Sequence, residues 1–323
     1  MEKTILIAGG GTGGHFFPAL SFLNTLWENH INTLYIGTTN GIEYRLQDMI
    51  STPKIFLNTK GFVGKSPLDK LKSLYSIANA TKELNSRVKD DFAGFVFGGY
   101  ASVPVGILSF LKAKKLFLHE QNSIPSLTNR ILSKKADICF TTFYHSKKFF
   151  KNPLRVGMPL RKEFLMDFDK KTLQSEIGIE SPCILVMGGS QGAKALNDIA
   201  TELFKKTNYY GIIITGEKNY QEVYDNLKSL KRVKVYPFSK EVYKLMKASD
   251  VAISRAGAGT IYELGASKLP AIFIPYPYAA YNHQYFNALE IKELGGGELI
   301  NQSDLSLDRL LTHIEKILKD REI

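Results

Sequence analysis

The chain has 323 residues, of which 44% are hydrophobic, so it is long and apolar enough to form two domains with a core each. It enters an apolar stretch at Thr4–Ala8 with no signal-type segment before it, and its longest apolar runs fall far short of a bilayer span. We therefore expect neither export nor a membrane-spanning helix.

The net charge of +11 is unevenly distributed along the chain. Residues 1–160 carry 20 Lys and Arg against 10 Asp and Glu, a net of +10, whereas residues 161–323 carry 22 against 21, a net of +1. A basic half predicts an anionic partner, which is nucleic acid, a phospholipid surface or a phosphorylated substrate. A generally lysine-rich surface is the alternative, and it explains the total charge but not the asymmetry.

The two cysteines, Cys139 and Cys183, each lie inside an apolar run, and neither has a second Cys or His at metal-ligand spacing. We expect both to be small core residues in a reducing cytoplasm.

Short apolar runs alternate with helical patterns along the chain, which is the rhythm of βαβ units. In the first half the runs predict strands at Thr4–Ala8, Thr33–Ile36, Phe92–Phe97, Leu116–Leu118 and Asp137–Thr141. In the second half they predict strands at Cys183–Met187, Gly211–Thr215, Val233–Tyr236, Val251–Ser254 and Ala271–Ile274. The fold class is therefore α/β, with two Rossmann-like, doubly wound domains built on parallel sheets.

The prolines and glycine of Asn152–Arg161 predict a linker, so we place one domain at residues 1–157 and the other at residues 158–323. Ligands of such sheets bind beyond the carboxyl ends of the strands. The glycine turns Gly9–Gly14 and Gly188–Gly192 are therefore expected on opposite walls of one cleft between facing domains. An amphipathic helix over Leu305–Leu318 closes the fold.

The turn Gly9–Gly14 contains the spacing G-x-G-x-x-G but does not predict a dinucleotide site. The strand Thr33–Ile36 runs into Gly-Thr-Thr rather than the acidic residue that would bind a ribose, and no G-K-[ST] follows the glycines. The turn remains a helix start able to hold an anion, with His15 in its first turn. A helix N-terminus disfavours a charged imidazole, so His15 is a candidate general base, although a His that only caps or packs is the alternative.

The second half offers two further helix starts suited to phosphate. Ser190 and Gln191 lie in the turn Gly188–Ala193, whose hydroxyl and N–H groups can hold a diphosphate without metal. After the strand Val251–Ser254, small residues form a second tight turn, and Glu263 one helical turn later can accept from two ribose hydroxyls. Arg161 can neutralise the same diphosphate, or be an ordinary surface charge.

Four adjacent hydrogen-bonding side chains, His119–Asn122, follow the strand Leu116–Leu118. Polar side chains there are costly unless they face solvent or a ligand, so we interpret Asn122 as a reader of sugar hydroxyls. For Glu120 there are two equal alternatives: the side chain faces solvent or a ligand, or it forms a structural ion pair with Arg130 or a lysine.

The loop Lys60–Lys65 places Phe62 and Val63 between glycines and lysines, a composition typical of a membrane-surface contact. The helix after Pro67 spaces apolar side chains on one face with lysines beside them. That helix either adds to the membrane contact or packs against the sheet in the usual way. The apolar positions are Leu68, Leu71, Leu74, Tyr75 and Ala78.

Seven motifs in one order closely resemble the MurG family of bacterial glycosyltransferases. They are Gly9–His15, Gly98–Tyr100, His119–Asn122, Gly157–Arg161, Gly188–Ala193, Ser254–Gly265 and His283–Ala288. The resemblance implies the two-domain GT-B fold, UDP-N-acetylglucosamine as donor, and undecaprenyl-diphospho-N-acetylmuramoyl-pentapeptide (lipid I) as acceptor. It also implies peripheral attachment at the cytoplasmic face of the bacterial inner membrane, in peptidoglycan synthesis.

The resemblance further implies site residues. His15 matches the histidine that acts as base for the acceptor's 4-hydroxyl. Two residues depart from the motifs of the family: Met158 in Gly157–Arg161, and His283 beside Gln284. The second departure leaves the contact at residue 283 open. No Asp-x-Asp motif precedes the donor turn, so neither a metal nor another cofactor is expected. The implied donor contacts are Thr12, Gly13, Gly14, Asn122, Arg161, Ser190, Ala258, Gly259, Thr260, Ile261, Tyr262, Glu263 and Gln284.

Other functions stay open at this point. Another GT-B enzyme, such as a glycolipid glycosyltransferase or a UDP-sugar epimerase, shares the general plan. A nucleic-acid-binding protein would use the basic first half, but the chain lacks RNP-type aromatics, zinc spacing and a recognition-helix signature, so we expect no nucleic-acid partner.

Overall fold

A computed structural model describes residues 3–59, 67–189 and 192–320. The backbone divides into two compact units, Met1–Arg161 and Lys162–Ile323. Ser190, Gln191 and the loop Lys60–Lys65 lie outside the described residues, so the predictions made for them stay predictions.

The first unit alternates strands with helices, as the βαβ rhythm predicts. Its strands are β1 (Thr4–Ala8), β2 (Thr33–Thr38), β3 (Lys54–Leu57), β4 (Phe92–Val96), β5 (Leu116–Glu120), β6 (Ile138–Thr141) and β7 (Pro153–Arg155). Its helices are α1 (Gly13–Glu28), α2 (Ile42–Arg45), α3 (Pro67–Arg87), α4 (Ser102–Leu111) and α5 (Leu127–Leu132).

The second unit follows the same plan. Its strands are β8 (Cys183–Met187), β9 (Tyr210–Ile214), β10 (Val233–Tyr236), β11 (Val251–Ser254), β12 (Ala271–Phe273) and β13 (Gly297–Leu299). Its helices are α6 (Lys170–Ile177), α7 (Lys194–Lys206), α8 (Tyr220–Leu227), α9 (Val242–Ala248), α10 (Ala258–Ala266), α11 (His283–Glu293) and α12 (Leu307–Asp320).

Both sheets are parallel throughout, and each reverses its winding direction once. The first has the order β3-β2-β1-β4-β5-β6-β7 and the second the order β10-β9-β8-β11-β12-β13. The reversal falls between β1 and β4 in one sheet and between β8 and β11 in the other. A crevice at the carboxyl ends of these strands is where such sheets bind ligands. The predicted α/β class with two doubly wound units is confirmed.

Each unit buries its own core around its sheet. Leu6, Val96 and Leu118 pack on one face of the first sheet, and Ile7, Phe16 and Phe97 pack on the other. In the second unit one core joins the sheet to α7 and α12. Leu310 and Ile314 of α12 are fully buried, so the predicted closing helix is confirmed. Cys139 and Cys183 are buried as predicted. Burial raises the pKa of the two thiols to about 11 and about 12.

The linker prediction is wrong for its first residues. Pro153–Arg155 forms strand β7 at the edge of the first sheet, paired with β6. An edge position tolerates the proline because that side of the strand needs no donor. Arg161 is the last residue of the first unit, whereas the sequence assigned it to the second.

Helix α3 packs on the core as an ordinary amphipathic helix does, but through a different face from the one predicted. Of the predicted face, Leu74, Tyr75 and Ala78 are exposed, whereas Ile77 and Leu84 on the opposite side pack into the core. The side chains of Leu68 and Leu71 lie outside those that the structure describes, so their prediction stays a prediction. Within the described ranges, no helix has the length and apolarity needed to cross a bilayer.

Candidate active site

The glycine turn after β1 meets the glycine turn after β4 at the reversal point of the first sheet. A Cβ on Gly99 would come within 2.1 Å of the carbonyl oxygen of Gly10, and a Cβ on Gly98 within 3.0 Å of the His15 ring. Both residues also have positive φ, 102° for Gly98 and 77° for Gly99. Only glycine fits this close approach of two backbones. The contact between the two glycine turns therefore brings the start of α1 against the end of β4.

Three of the predicted contact residues begin helix α1. Thr12 is its N-cap in extended conformation and, like Gly14, is exposed; its carbonyl oxygen accepts from the N–H groups of His15 and Phe16. The side chain of Thr12 makes no capping hydrogen bond, and the first turn contains no acidic residue. Such a helix start attracts negative charge. The contacts predicted at Thr12, Gly13 and Gly14 remain predictions.

A carboxylate from the protein itself occupies the other end of this turn. Glu43 is fully buried, and its Oε2 accepts from the N–H of Gly11 at 2.8 Å. Its Oε1 accepts from the N–H and the hydroxyl of Thr38, at 3.0 and 2.7 Å. A Cβ on Gly10 or Gly41 would come within 2.3 or 2.1 Å of this carboxylate. Glu43 therefore anchors the turn internally, a role that the sequence analysis missed because a lone Glu in a short helix gives no signal.

His15 contacts the polar segment at the end of β5. Its Nδ1 lies 2.9 Å from Oε1 of Gln121, and Gln121 Nε2 lies 3.1 Å from Nδ1 of His119. Nε2 of His119 lies 2.8 Å from the carbonyl oxygen of Gly157. The structure thus joins His15 to the motif His119–Asn122, which the sequence identified but did not connect to it.

The interpretation of this motif as a row of solvent-facing or ligand-facing side chains is wrong for its first three members. His119, Glu120 and Gln121 are buried, and they are satisfied by protein groups. Burial lowers the pKa of His119 to about 4, although its bond to the Gly157 carbonyl opposes the change, so the ring is neutral near pH 7. Asn122 is only half-buried, and its proposed contact with a sugar remains a prediction.

Glu120 binds the backbone and side chains of the segment that follows it. It accepts from the N–H groups of Asn122 and Ser126, at 2.9 and 3.3 Å, and from Nδ2 of Asn129 at 2.8 Å. Burial raises its pKa to about 7, while these donors oppose the rise. The carboxyl group of Glu120 holds the loop between β5 and α5 by hydrogen bonds. This role is neither the contact with solvent or a ligand nor the ion pair that the sequence predicted.

In the second unit, two helices start side by side at the reversal point. β8 leads to α7 and β11 to α10, and Ser254 of β11 is paired with Met187 of β8. Neither helix has an acidic residue in its first turn or a side-chain cap among the described residues. Their N-terminal N–H groups and dipoles therefore combine at one edge of the sheet, an arrangement that favours a diphosphate.

The predicted donor residues of this unit form the first two turns of α10. Ala258 and Ile261 are buried, whereas Gly259, Thr260, Tyr262 and Glu263 are half-buried. A Cβ on Gly259 would meet no described atom within 4 Å, so a ligand can approach the backbone there.

Two further residues hold the entrance to α10, and the sequence analysis assigned neither of them a role. Arg255 is buried; its guanidinium donates to the carbonyl oxygens of Ile274 and Pro275 and, at 2.6 Å, to Oε1 of Gln302. Asn287 is buried and donates to the carbonyl oxygen of Ala256 at 3.2 Å. These contacts fix the backbone just before the helix start.

Gln284 and Arg161 complete the predicted set. Oε1 of Gln284 accepts from the N–H of Tyr276 at 2.9 Å, which leaves its NH₂ group as a donor. Nδ1 of the neighbouring His283 lies 2.8 Å from the carbonyl oxygen of Ala280. Arg161 is half-buried at the end of the first unit. In the described ranges, no group of three or more His, Cys, Asp or Glu side chains is placed to hold a metal ion.

Two parallel-sheet units, each with a glycine turn at its reversal point, form the fold of the GT-B class of glycosyltransferases. The N-terminal domain model of glycosyltransferase family 28 matches residues 5–141, and the C-terminal domain model matches residues 183–323. The chain belongs to glycosyltransferase family 28.

Curated relatives match over almost the whole chain. The UDP-N-acetylglucosamine--N-acetylmuramyl-(pentapeptide) pyrophosphoryl-undecaprenol N-acetylglucosamine transferase of Aquifex aeolicus is 44% identical, over 98% of this chain and 93% of its own length. The transferase of the same name from a Sulfurihydrogenibium species is 38% identical, over 97% and 89%. The crystal structure of Acinetobacter baumannii MurG is 26% identical, with a TM-score of 0.75, and covers 99% of this chain and 93% of its own.

The anchoring role of Glu43 predicts a large effect of a small change. Glu43→Gln points an NH₂ group at donors that now bind a carboxylate, and we expect it to lower the free energy of unfolding by about 1–3 kcal/mol. The only tryptophan, Trp27, lies on α1, so its fluorescence during urea unfolding reports on this unit. Exposed Glu28→Gln is the control, with an expected change below about 0.5 kcal/mol. Equal midpoints for the two variants would contradict the anchoring role.

Proposed function

We propose that this chain transfers N-acetylglucosamine from UDP-N-acetylglucosamine to the 4-hydroxyl of lipid I, with inversion, to form lipid II for peptidoglycan. The observation that carries the proposal is the 44% identity, over nearly the whole of both chains, to the Aquifex aeolicus transferase. The name of that transferase specifies this donor sugar and this lipid-linked acceptor.

The chemistry is a single in-line displacement. His15 takes the proton of the acceptor hydroxyl, the oxygen forms a bond to the anomeric carbon, and the bond from that carbon to the UDP oxygen breaks. UDP leaves with the electron pair, so negative charge grows on its diphosphate. The N–H groups at the starts of α7 and α10 are suited to stabilise that charge, with Ser190 and Arg161 as further donors.

The donor contacts follow from the same assignment. Glu263, one turn into α10, accepts from the ribose hydroxyls, and the segment Ala258–Tyr262 presents its N–H groups and side chains to the nucleotide. Gln284 offers its NH₂ group to the sugar. Thr12, Gly13 and Gly14 are further donor contacts, and we assign Asn122 to a sugar hydroxyl. This set needs no metal or other cofactor.

A transfer assay tests the function directly. Labelled UDP-N-acetylglucosamine is supplied with a soluble lipid I analogue, or with diacylglycerol in its place. We expect product with the first acceptor only. Product from diacylglycerol alone would instead identify a glycolipid glycosyltransferase.

We also propose that an apolar surface of the first unit docks on the anionic cytoplasmic face of the bacterial inner membrane. Four large side chains are exposed where α3 packs beside α4, and two of them, Leu74 and Leu111, line a mainly apolar depression of about 630 Å³. The four are Leu74, Tyr75, Phe110 and Leu111, with exposed fractions of 54%, 70%, 57% and 68%.

Basic side chains surround this surface. Lys82 and Lys112 line the depression, and Nζ of Lys135 lies 4.8 Å from the centre of the Phe110 ring. Apolar side chains flanked by lysines favour a surface of anionic lipid, because the chains insert while the ammonium groups meet the headgroups. Lipid I, whose undecaprenyl chain is membrane-bound, would reach the enzyme at such a surface.

The His15 assignment predicts a loss of turnover. Because general-base catalysis contributes about 10²–10⁴-fold, His15→Ala should lower kcat by that factor and leave UDP affinity largely unchanged. Exposed His30→Asn serves as the control and should retain parental turnover. Unaltered turnover in His15→Ala would remove His15 as the base.

The Glu263 assignment predicts a loss of nucleotide binding. A carboxylate that accepts from ribose hydroxyls contributes charged hydrogen bonds, so Glu263→Ala should weaken UDP binding at least about tenfold, measured by titration calorimetry. The matched control is exposed Glu293→Ala in the same unit. Equal affinity in Glu263→Ala and the parent would reject the ribose contact.

The membrane assignment predicts lipid-dependent binding. The parent should co-sediment with vesicles that contain anionic phospholipid, and Phe110→Ser with Leu111→Ser should lower the partition coefficient about tenfold or more, because two apolar side chains no longer insert. Leu294→Ser replaces a leucine that is 61% exposed in the second unit and should bind as the parent does. Equal binding of all three proteins would reject this surface.

A further inference from the structure

A row of hydrogen bonds runs from a backbone carbonyl to the ring of His15. The Gly157 carbonyl oxygen is 2.8 Å from Nε2 of His119, Nδ1 of His119 is 3.1 Å from Nε2 of Gln121, and Oε1 of Gln121 is 2.9 Å from Nδ1 of His15. The contacts link the segment just after β7 to the first turn of α1. Gly157 has a φ of 85°, which suits glycine and directs its carbonyl.

The direction of every hydrogen bond in this row is set at the carbonyl end. A carbonyl oxygen only accepts, so Nε2 of His119 carries its proton, and in a neutral ring Nδ1 then accepts. The group facing that Nδ1 is therefore the NH₂ of Gln121. The same NH₂ lies 2.9 Å from the carbonyl oxygen of His119, a second acceptor that requires the same orientation of the amide.

The orientation of the Gln121 amide determines which ring nitrogen of His15 carries the proton. Since the NH₂ group of Gln121 faces His119, its Oε1 faces His15, and a carbonyl-type oxygen accepts from Nδ1–H. In a neutral imidazole the lone pair then lies on Nε2. His119 maintains the row because burial lowers its pKa to about 4, so at neutral pH it does not become a second donor toward Gln121.

We propose that Gln121 and His119 are positioning residues that hold His15 as the Nδ1–H tautomer, so that Nε2 is the atom that accepts the proton of the acceptor hydroxyl. The proposal rests on the proposed function, in which His15 is the base. A Gln performs here, without a charge, the orienting task that a buried carboxylate performs for the histidine of a Ser-His-Asp triad. Gln121 carries no charge, whereas a carboxylate would favour the protonated form of the ring.

The first test is the tautomer in the parent protein. The full chain is labelled with ¹⁵N-histidine, and long-range ¹H–¹⁵N spectra at neutral pH report which ring nitrogen carries the proton. His15 and His119 are assigned from the signals lost in His15→Ala and His119→Leu. We expect opposite tautomers, with the proton on Nδ1 in His15 and on Nε2 in His119. A proton on Nε2 of His15 overturns the proposal.

The second test removes the amide while leaving an apolar side chain of similar size. Gln121→Leu should abolish the preference of His15 for the Nδ1–H tautomer and lower kcat about tenfold or more, with UDP affinity unchanged. His283 is the internal control, because its Nδ1 lies 2.8 Å from the Ala280 carbonyl oxygen and its tautomer does not depend on Gln121. An unchanged His15 tautomer together with unchanged kcat in Gln121→Leu overturns the proposal.

A double-mutant cycle separates positioning from packing. If Gln121 acts through His15, Gln121→Leu should cost no further turnover in a His15→Ala background. Equal losses in both backgrounds would show a structural effect and overturn the proposal.

The results also separate this inference from the proposed function. Lost turnover in His15→Ala combined with an Nε2–H tautomer in the parent rejects the positioning role alone. Full turnover in His15→Ala rejects the base and the positioning role together.

Discussion

The hydrogen bond between Oε1 of Gln121 and Nδ1 of His15 joins the two segments on which the site of the first unit depends. The residues are 106 positions apart in the chain, and β4 lies between the strands that lead to them. Each partner is held by its own surroundings: Gln121 by His119, and His15 by the start of α1 against Gly98. Because an unsatisfied buried polar group costs about 1–3 kcal/mol, the burial of Gln121 enforces this pairing.

The two units hold the turn between strand and helix in different ways. In the first, the buried carboxylate of Glu43 binds the N–H of Gly11, so a side chain of the protein already satisfies one N–H of the turn. In the second, the starts of α7 and α10 lie side by side at the reversal point of the sheet. Helices α1, α7 and α10 all begin without an acidic residue in the first turn, so each start attracts negative charge, and the two in the second unit combine their dipoles at one edge of the sheet.

Most strands that the sequence predicted lie inside a sheet, where both faces are covered. β1, β8 and β11 appear as continuous apolar runs and were predicted at their observed bounds. The edge strand β10 was also predicted at its observed bounds. The three strands that were missed all lie at a sheet edge: β3 begins with a lysine, β7 with a proline, and β13 contains a glutamate. Such residues interrupt the apolar run, and an edge strand can carry them because it is partly solvated.

The pattern of apolar residues, glycines and polar residues along the chain was sufficient to predict two α/β units and His15 as the candidate base, and the resemblance of the seven motifs to a known family implied the glycosyltransferase class. The tertiary structure was needed to show that Gln121 contacts His15, that Glu43 binds the turn after β1, and that Leu74 and Tyr75 face outward. These contacts join residues distant in sequence or depend on which face of a helix is covered. Burial and hydrogen-bond direction, which decide them, exist only once the chain is packed.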